Sequence, residues 1–273
     1  MIIFINCYFK YFLIMDHFIS INTPWWWYIF KFKFNIILVI GIACCVAPIK
    51  VKNESVKKEL PILLVVTSMF VVSVIFHCLE GVNGLLTIRR FDGLLYFFFF
   101  IMFIFYIVSV VKSKKGILDR HKPKYSVGVS MALTVICSII IVQASDLVVD
   151  NAVILSSLLG ISTKVITMTI VVIGTSLPEM TMTVISAKKG EFDIALGNII
   201  GTNIFNIGVV LGIPIMIYGG FTSSSFSYID MIFVQVSATL LYLFARNDRV
   251  LSRREGALFI TLCVLYYAYL FVA

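Results

Sequence analysis

Seven apolar runs, each about as long as a bilayer is thick, occupy most of this 273-residue chain. They fall near 60–78, 92–111, 127–149, 161–186, 193–217, 228–245 and 256–272, and one more run ends near Pro48 with an indistinct start. A helix rises about 1.5 Å per residue, so about 20 apolar residues cross the hydrocarbon core. Backbone amides have no water to bond there, so a chain with this many such runs satisfies them within helices. The fold class is therefore all-α: a polytopic helical membrane protein with about eight transmembrane helices. Sixty per cent hydrophobic residues, 13% charged residues and a mean hydropathy of +1.04 exclude an ordinary soluble domain.

In such a chain the net charge of +8 is read by position. Connections on one side carry Lys50, Lys52, Lys57 and Lys58, then Lys112, Lys114, Lys115, Arg120, Lys122 and Lys124, then Lys188 and Lys189, then Arg246, Arg249, Arg253 and Arg254. The other side holds Arg89, Arg90 and Lys164. Cytoplasmic connections are the basic ones, so the first group is expected inside, with the loop from Tyr218 to Tyr228 and the C-terminus outside. This is topological charge, and no nucleic-acid partner is expected. Asp146 and Asp150 are expected at the outer interface. The six cysteines lack CxxC spacing and read as packing residues, and His17, His77 and His121 are scattered, so no enzyme signature emerges.

Chemistry concentrates between Val171 and Gly212, VVIGTSLPEMTMTVISAKKGEFDIALGNIIGTNIFNIGVVLG. Glu179 is an ionisable group inside an apolar run, where it costs at least about 2.5 kcal/mol and marks a functional site by default. Pro178 supplies no amide proton and crowds the carbonyl of Gly174, so the helix is expected to kink or open there and free backbone oxygens. Thr175 lies one turn before Glu179 on the same face, with Ser176 beside it. In the next run Asn198, Thr202 and Asn206 repeat at four-residue steps and offer two amide oxygens and a hydroxyl. These are hard oxygen donors that suit Na⁺ and Ca²⁺, whereas zinc or copper would call for His or Cys. Close helix packing is the competing reading of the small residues, and the steps Gly197 to Gly201 and Gly208 to Gly212 fit it.

The pair GTSLPE and GNIIGTNIFN resembles the second alpha-repeat of the cation/Ca²⁺ exchanger superfamily, most closely the bacterial calcium/sodium antiporters. The resemblance covers roughly Asn35 to Ala273. An earlier echo supports it: FNIILVIG from Phe34 to Gly41 parallels FNIGVVLG from Phe205 to Gly212, and a proline follows each, Pro48 and Pro214. Five spans separate the copies, so they run in opposite directions, as in transporters built from inverted repeats with the site near the midplane.

The resemblance implies a remnant of an inverted-repeat (5+5) exchanger fold. It implies a cation site formed by Thr175, Ser176, Glu179, the carbonyl of Val172, Thr202 and Asn206, with Asn35 from the opposite repeat. Transported Ca²⁺ and Na⁺ are expected, with no cofactor, in a bacterial inner membrane. Some family members carry Asp where Asn206 stands, so this copy is one charge poorer. No second GTSxPE motif precedes Asn35.

The expected organisation is a non-matching hydrophobic segment over 1–33, the remainder of a first exchanger half over 34–112, a basic linker over 113–126 and a complete second half over 127–273. The first segment is expected to be unrelated sequence from a frameshift or misassigned start, with a genuine divergent anchor as the alternative. The function expected is cation antiport, impaired in a single chain. The alternatives are a non-transporting membrane scaffold or subunit, a proton- or potassium-coupled exchanger, and a homodimer that restores the missing half-site.

Overall fold

The computed structural model of the chain describes residues 35–80, 86–113, 172–223 and 228–272, with scattered positions between 126 and 158. The segment 1–33, nearly all of the linker 113–126, most of the run 127–149, the start of the run 161–186 and both Asp146 and Asp150 lie outside them.

In chain order, a π-helical turn (Asn35–Val39) leads into α1 (Ile40–Val46) and strand β1 (Ile49–Lys50). A second π turn (Ser55–Glu59) opens α2 (Leu60–Glu80), followed by β2 (Leu86–Ile88) and α3 (Arg90–Ser113). The second half has α4 (Val172–Lys188), then α5 (Phe192–Phe205), which continues through a π-helical stretch (Asn206–Leu211) into α6 (Gly212–Tyr218). It closes with β3 (Phe221–Ser223), α7 (Tyr228–Asn247), β4 (Val250–Leu251) and α8 (Arg253–Val272). Among the described residues, four helical stretches are long and apolar enough to cross a membrane: Ser55–His77, Arg90–Lys112, Phe192–Tyr218 and Tyr228–Asn247. The stripe Phe91, Leu94, Phe98, Met102 and Phe105 on α3 is exposed although wholly apolar, as a lipid-facing helix requires. The opposite face buries Tyr96 and Phe103.

The eight-residue echo seen in the sequence extends through the following helix. Buried residues of α2 and α7 pair at the interval that separates Gly41 from Gly212: Leu60 with Met231, Leu63 with Val234, Val66 with Ser237, Thr67 with Ala238, Phe70 with Leu241, and Val74 with Ala245. The short strands obey the same symmetry. Antiparallel β1·β4 joins the halves at one end of the bundle (Ile49 opposite Leu251), and antiparallel β2·β3 joins them at the other (Ile88 opposite Phe221).

The halves interlock through glycine. A Cβ placed on Gly93 of α3 would lie 2.7 Å from the Gly212 carbonyl, and one on Gly256 of α8 would lie 2.8 Å from the Gly41 carbonyl. Each crossing sets a repeat helix of one half against the last helix of the other, so close that no side chain fits between them.

Helix α8 begins with a capping box. The Ser252 amide and hydroxyl both donate to Glu255 Oε2, at 2.6 and 3.0 Å, and the Glu255 amide reaches back to Ser252 Oγ at 3.4 Å. Ser252→Ala is expected to lower unfolding stability by about 1 kcal/mol. A shift of that size in the thermal midpoint of purified protein checks it.

Candidate cation site

Glu179 sits on α4 with 3% of its surface exposed. Helix α4 runs unbroken from Val172 to Lys188 with Pro178 inside it, so the expected opening beside the carboxylate does not occur. The sequence reasoning from Pro178 holds only for the one bond it removes: the Gly174 carbonyl has no amide four residues on to accept from. The loosened helix is in the partner stretch. From Asn206 to Leu211 the backbone widens to π-helix, a geometry concentrated at functional sites. The echo beginning at Asn35 is π-helical too. That turn and α1 both pack against α4, so the surviving part of the first repeat meets the glutamate-bearing helix.

A buried hydrogen-bond network fastens α4 to α5. Asn198 Nδ2 donates to the Glu179 carbonyl at 3.2 Å and to Thr183 Oγ1 at 3.0 Å, while Thr183 Oγ1 donates to the same carbonyl at 2.7 Å. A carbonyl only accepts, so the amide nitrogen of Asn198 must face it. One turn later Thr202 Oγ1 donates to the carbonyls of Asn198 (2.8 Å) and Ile199 (3.2 Å), and Asn203 Nδ2 donates to Ile199 O at 2.7 Å. These bonds take up the side-chain donors of Asn198, Thr202 and Asn203 and leave several oxygens over. Ser176 Oγ, Asn198 Oδ1, Asn203 Oδ1 and both amide atoms of Asn206, Oδ1 and Nδ2, are buried with no hydrogen-bond partner among the described residues. Each such atom costs about 1–3 kcal/mol unless something satisfies it. The oxygens among them, together with one carboxylate, suit a hard cation, which takes oxygen lone pairs. Among the described residues no group of three His, Cys, Asp or Glu gathers to hold a metal in another way.

Of the residues anticipated from sequence, Ser176 and Glu179 on α4, Thr202 on α5 and Asn206 at the start of the π-helical stretch are all buried. The side chains of Thr175, Val172 and Asn35 lie outside what the structure describes. The glycine steps divide. Gly208 and Gly212 meet α3 at close range, while a Cβ at Gly197 or Gly201 meets nothing within 4 Å among the described residues. Sequence reasoning passed over Asn203, although its amide belongs to the same GTN triplet as Thr202. It also missed two buried carboxylates at span ends: Asp92, 2.9 Å from His77 Nε2, and Asp230, which accepts a hydrogen bond from Tyr266. Acids embedded next to apolar runs were the available signal.

Asn198→Ala removes both bonds that hold the Glu179 turn to α5. The expected loss is about 1–3 kcal/mol of stability, read from unfolding in detergent.

Comparison with known proteins agrees with this geometry. The family described as Sodium/calcium exchanger protein matches residues 33–109 and 129–272. The inner membrane protein YrbG of Escherichia coli (strain K12) is 32% identical over 195 residues, 68% of this chain and 57% of that protein, so the chain spans little more than half of that relative. The putative antiporter CaxA of Alkalimonas amylolytica is 32% identical over 251 residues, 87% of this chain and 75% of that protein. A solved structure of the sodium-calcium exchanger NCX_Mj, soaked with 2.5 mM Na⁺ and 10 mM Sr²⁺, superposes with a TM-score of 0.68 at 29% identity, covering 89% of this chain and 75% of that one. The family match over most of its length places this chain in the sodium/calcium exchanger protein family, as a helical integral membrane protein.

Proposed function

We propose that this chain handles Ca²⁺ and Na⁺ as an antiporter, with the cation held between α4 and α5. Glu179 supplies the charge and the oxygens of Ser176, Thr202 and Asn206 complete the cradle, joined by the Val172 carbonyl, Thr175 and Asn35. The observation that carries this reading is the set of buried oxygens without a described partner on α4, on the helix packed against it and on the π-helical stretch that follows, together with the buried Glu179.

The site has one motif glutamate, and Asn206 is neutral. A second carboxylate about 4 Å away would add roughly 4 kcal/mol per unit of ion charge at an effective dielectric near 20, and twice that for a divalent ion. These 273 residues by themselves are therefore expected to bind Ca²⁺ weakly and exchange it slowly. A homodimer is the arrangement that would supply further ligands. The basic connections set the orientation, with the C-terminus outside a bacterial inner membrane.

Sodium-loaded vesicles carrying the purified chain test this through ⁴⁵Ca²⁺ uptake. Slow uptake that depends on the sodium gradient and vanishes in Glu179→Gln is expected. Robust uptake that Glu179→Gln leaves intact would remove the site, and robust uptake abolished by that change would remove only the impairment.

A further inference from the structure

Helices α4 and α5 form a hairpin with a tight turn. The amides of Lys189, Gly190 and Glu191 donate back to the carbonyls of Ile185, Ala187 and Ser186, and Gly190 takes a left-handed conformation at φ +76°. A glycine in that conformation ends a helix and reverses the chain. The two helices therefore run antiparallel, and each advances about 5.4 Å per turn alongside the other. The turn fixes only the near end. How α4 is rotated and seated on α5 further along is left to the side chains.

Beyond the turn, a closed ring of hydrogen bonds joins the two helices. Asn198 Nδ2 donates to the Glu179 carbonyl at 3.2 Å and to Thr183 Oγ1 at 3.0 Å, and Thr183 Oγ1 donates to that same carbonyl at 2.7 Å. Both amide protons of Asn198 and the one hydroxyl proton of Thr183 are spent inside the ring. Thr183 is wholly buried there. One turn further from the hairpin come Glu179 on α4 and Thr202 on α5, and after another turn come Ser176 and Asn206. The groups assigned to the cation thus follow the ring in step along both helices. A slip of α4 by one turn toward the hairpin would bring Glu179 level with Asn198 and leave Thr202 facing the turn of Ser176.

We propose that Thr183 and Asn198 are positioning residues for cation binding. Their ring locks the register that sets Glu179 level with Thr202, and Thr183 itself gives no atom to the ion. This inference rests on the cation site proposed above.

Equilibrium binding of ²²Na⁺ to the purified full chain tests it, because the affinity of the folded protein is read separately from its stability. Thr183→Val keeps the shape of the side chain and removes its hydroxyl, and is expected to weaken binding about tenfold. Thr183→Ser, which keeps the hydroxyl, is expected to restore it. Asn198→Leu opens the ring from the other helix and is expected to match Thr183→Val, with the double variant no weaker than either, because both changes act on one ring. Ser252→Ala, which loosens the capping box of α8, is expected to bind as the wild type does. Wild-type affinity in Thr183→Val, in a protein whose binding Glu179→Gln abolishes, would overturn the inference and leave the site standing. A loss in Asn198→Leu that Thr183→Val does not share would make Asn198 a ligand and overturn it too, as would an equal loss in Ser252→Ala. Wild-type binding by Glu179→Gln would remove the site itself.

Discussion

Glu179→Gln is expected to abolish cation-dependent stabilisation of the purified protein. A ligand that binds only the folded state raises stability by about 2.7 kcal/mol at a hundredfold excess over its dissociation constant, and that increment requires a charge to face the ion. The amide keeps the shape and oxygen of the carboxylate and removes the charge, so the wild-type rise in melting temperature with Na⁺ or Ca²⁺ should vanish. The ion-free variant should melt no lower than the wild type, because a neutral group is cheaper to bury than a charged one. Thermal scans at several ion concentrations read both effects. A variant that melts far below wild type without ions, with its ion response intact, would mean that Glu179 serves packing alone.

Gly212→Leu is expected to destabilise the fold by about 3 kcal/mol or more. A Cβ at Gly212 already lies 3.1 Å from the Gly93 carbonyl and 3.3 Å from the Ile207 carbonyl, so the added side chain must push α6 away from α3. Backbone carbonyls cannot rotate out of the way as a side chain does. The π-helical stretch carrying Asn206 continues directly into α6, so this change should also weaken cation binding without touching a ligand. Gly197→Ala is the control. Gly197 is an exposed glycine inside α5 with no described neighbour within 4 Å, and replacing it should be neutral or stabilising by up to about 1 kcal/mol. Equal losses from both substitutions would contradict the interlocked crossing.

The interlock also bears on motion. α1 lies on α8 and α6 lies on α3, with strands tying the halves together at both ends. The two halves are thus bonded to each other through backbone, and a transport cycle that swings one whole half against the other would have to break both glycine crossings.

Membrane class and the runs 60–78, 92–111, 193–217 and 228–245 were legible because twenty-residue apolar runs leave a chain few alternatives. The site helices were legible because Glu179 and the Asn198, Thr202, Asn206 stripe violate the apolar pattern at helical spacing. Two features were not. Pro178 pointed to a break in α4, yet the ladder widens between Asn206 and Leu211, a stretch that holds Gly208 and the Val210 carbonyl that Pro214 leaves without an amide; the crossing of Gly212 on α3 is a tertiary fact that local sequence does not encode. The repeat was visible only as eight residues, because inverted copies conserve which positions are buried rather than which residues occupy them: Thr67 and Ala238, or Phe70 and Leu241, share burial and little else.

The most direct measurement is equilibrium binding of ²²Na⁺ and ⁴⁵Ca²⁺ to the purified chain. Saturable binding of one cation that the other displaces is expected, lost in Glu179→Gln and weakened in Thr202→Ala and Asn206→Ala. Saturable binding unchanged in all three variants, or none in the wild type at millimolar ion, would contradict it.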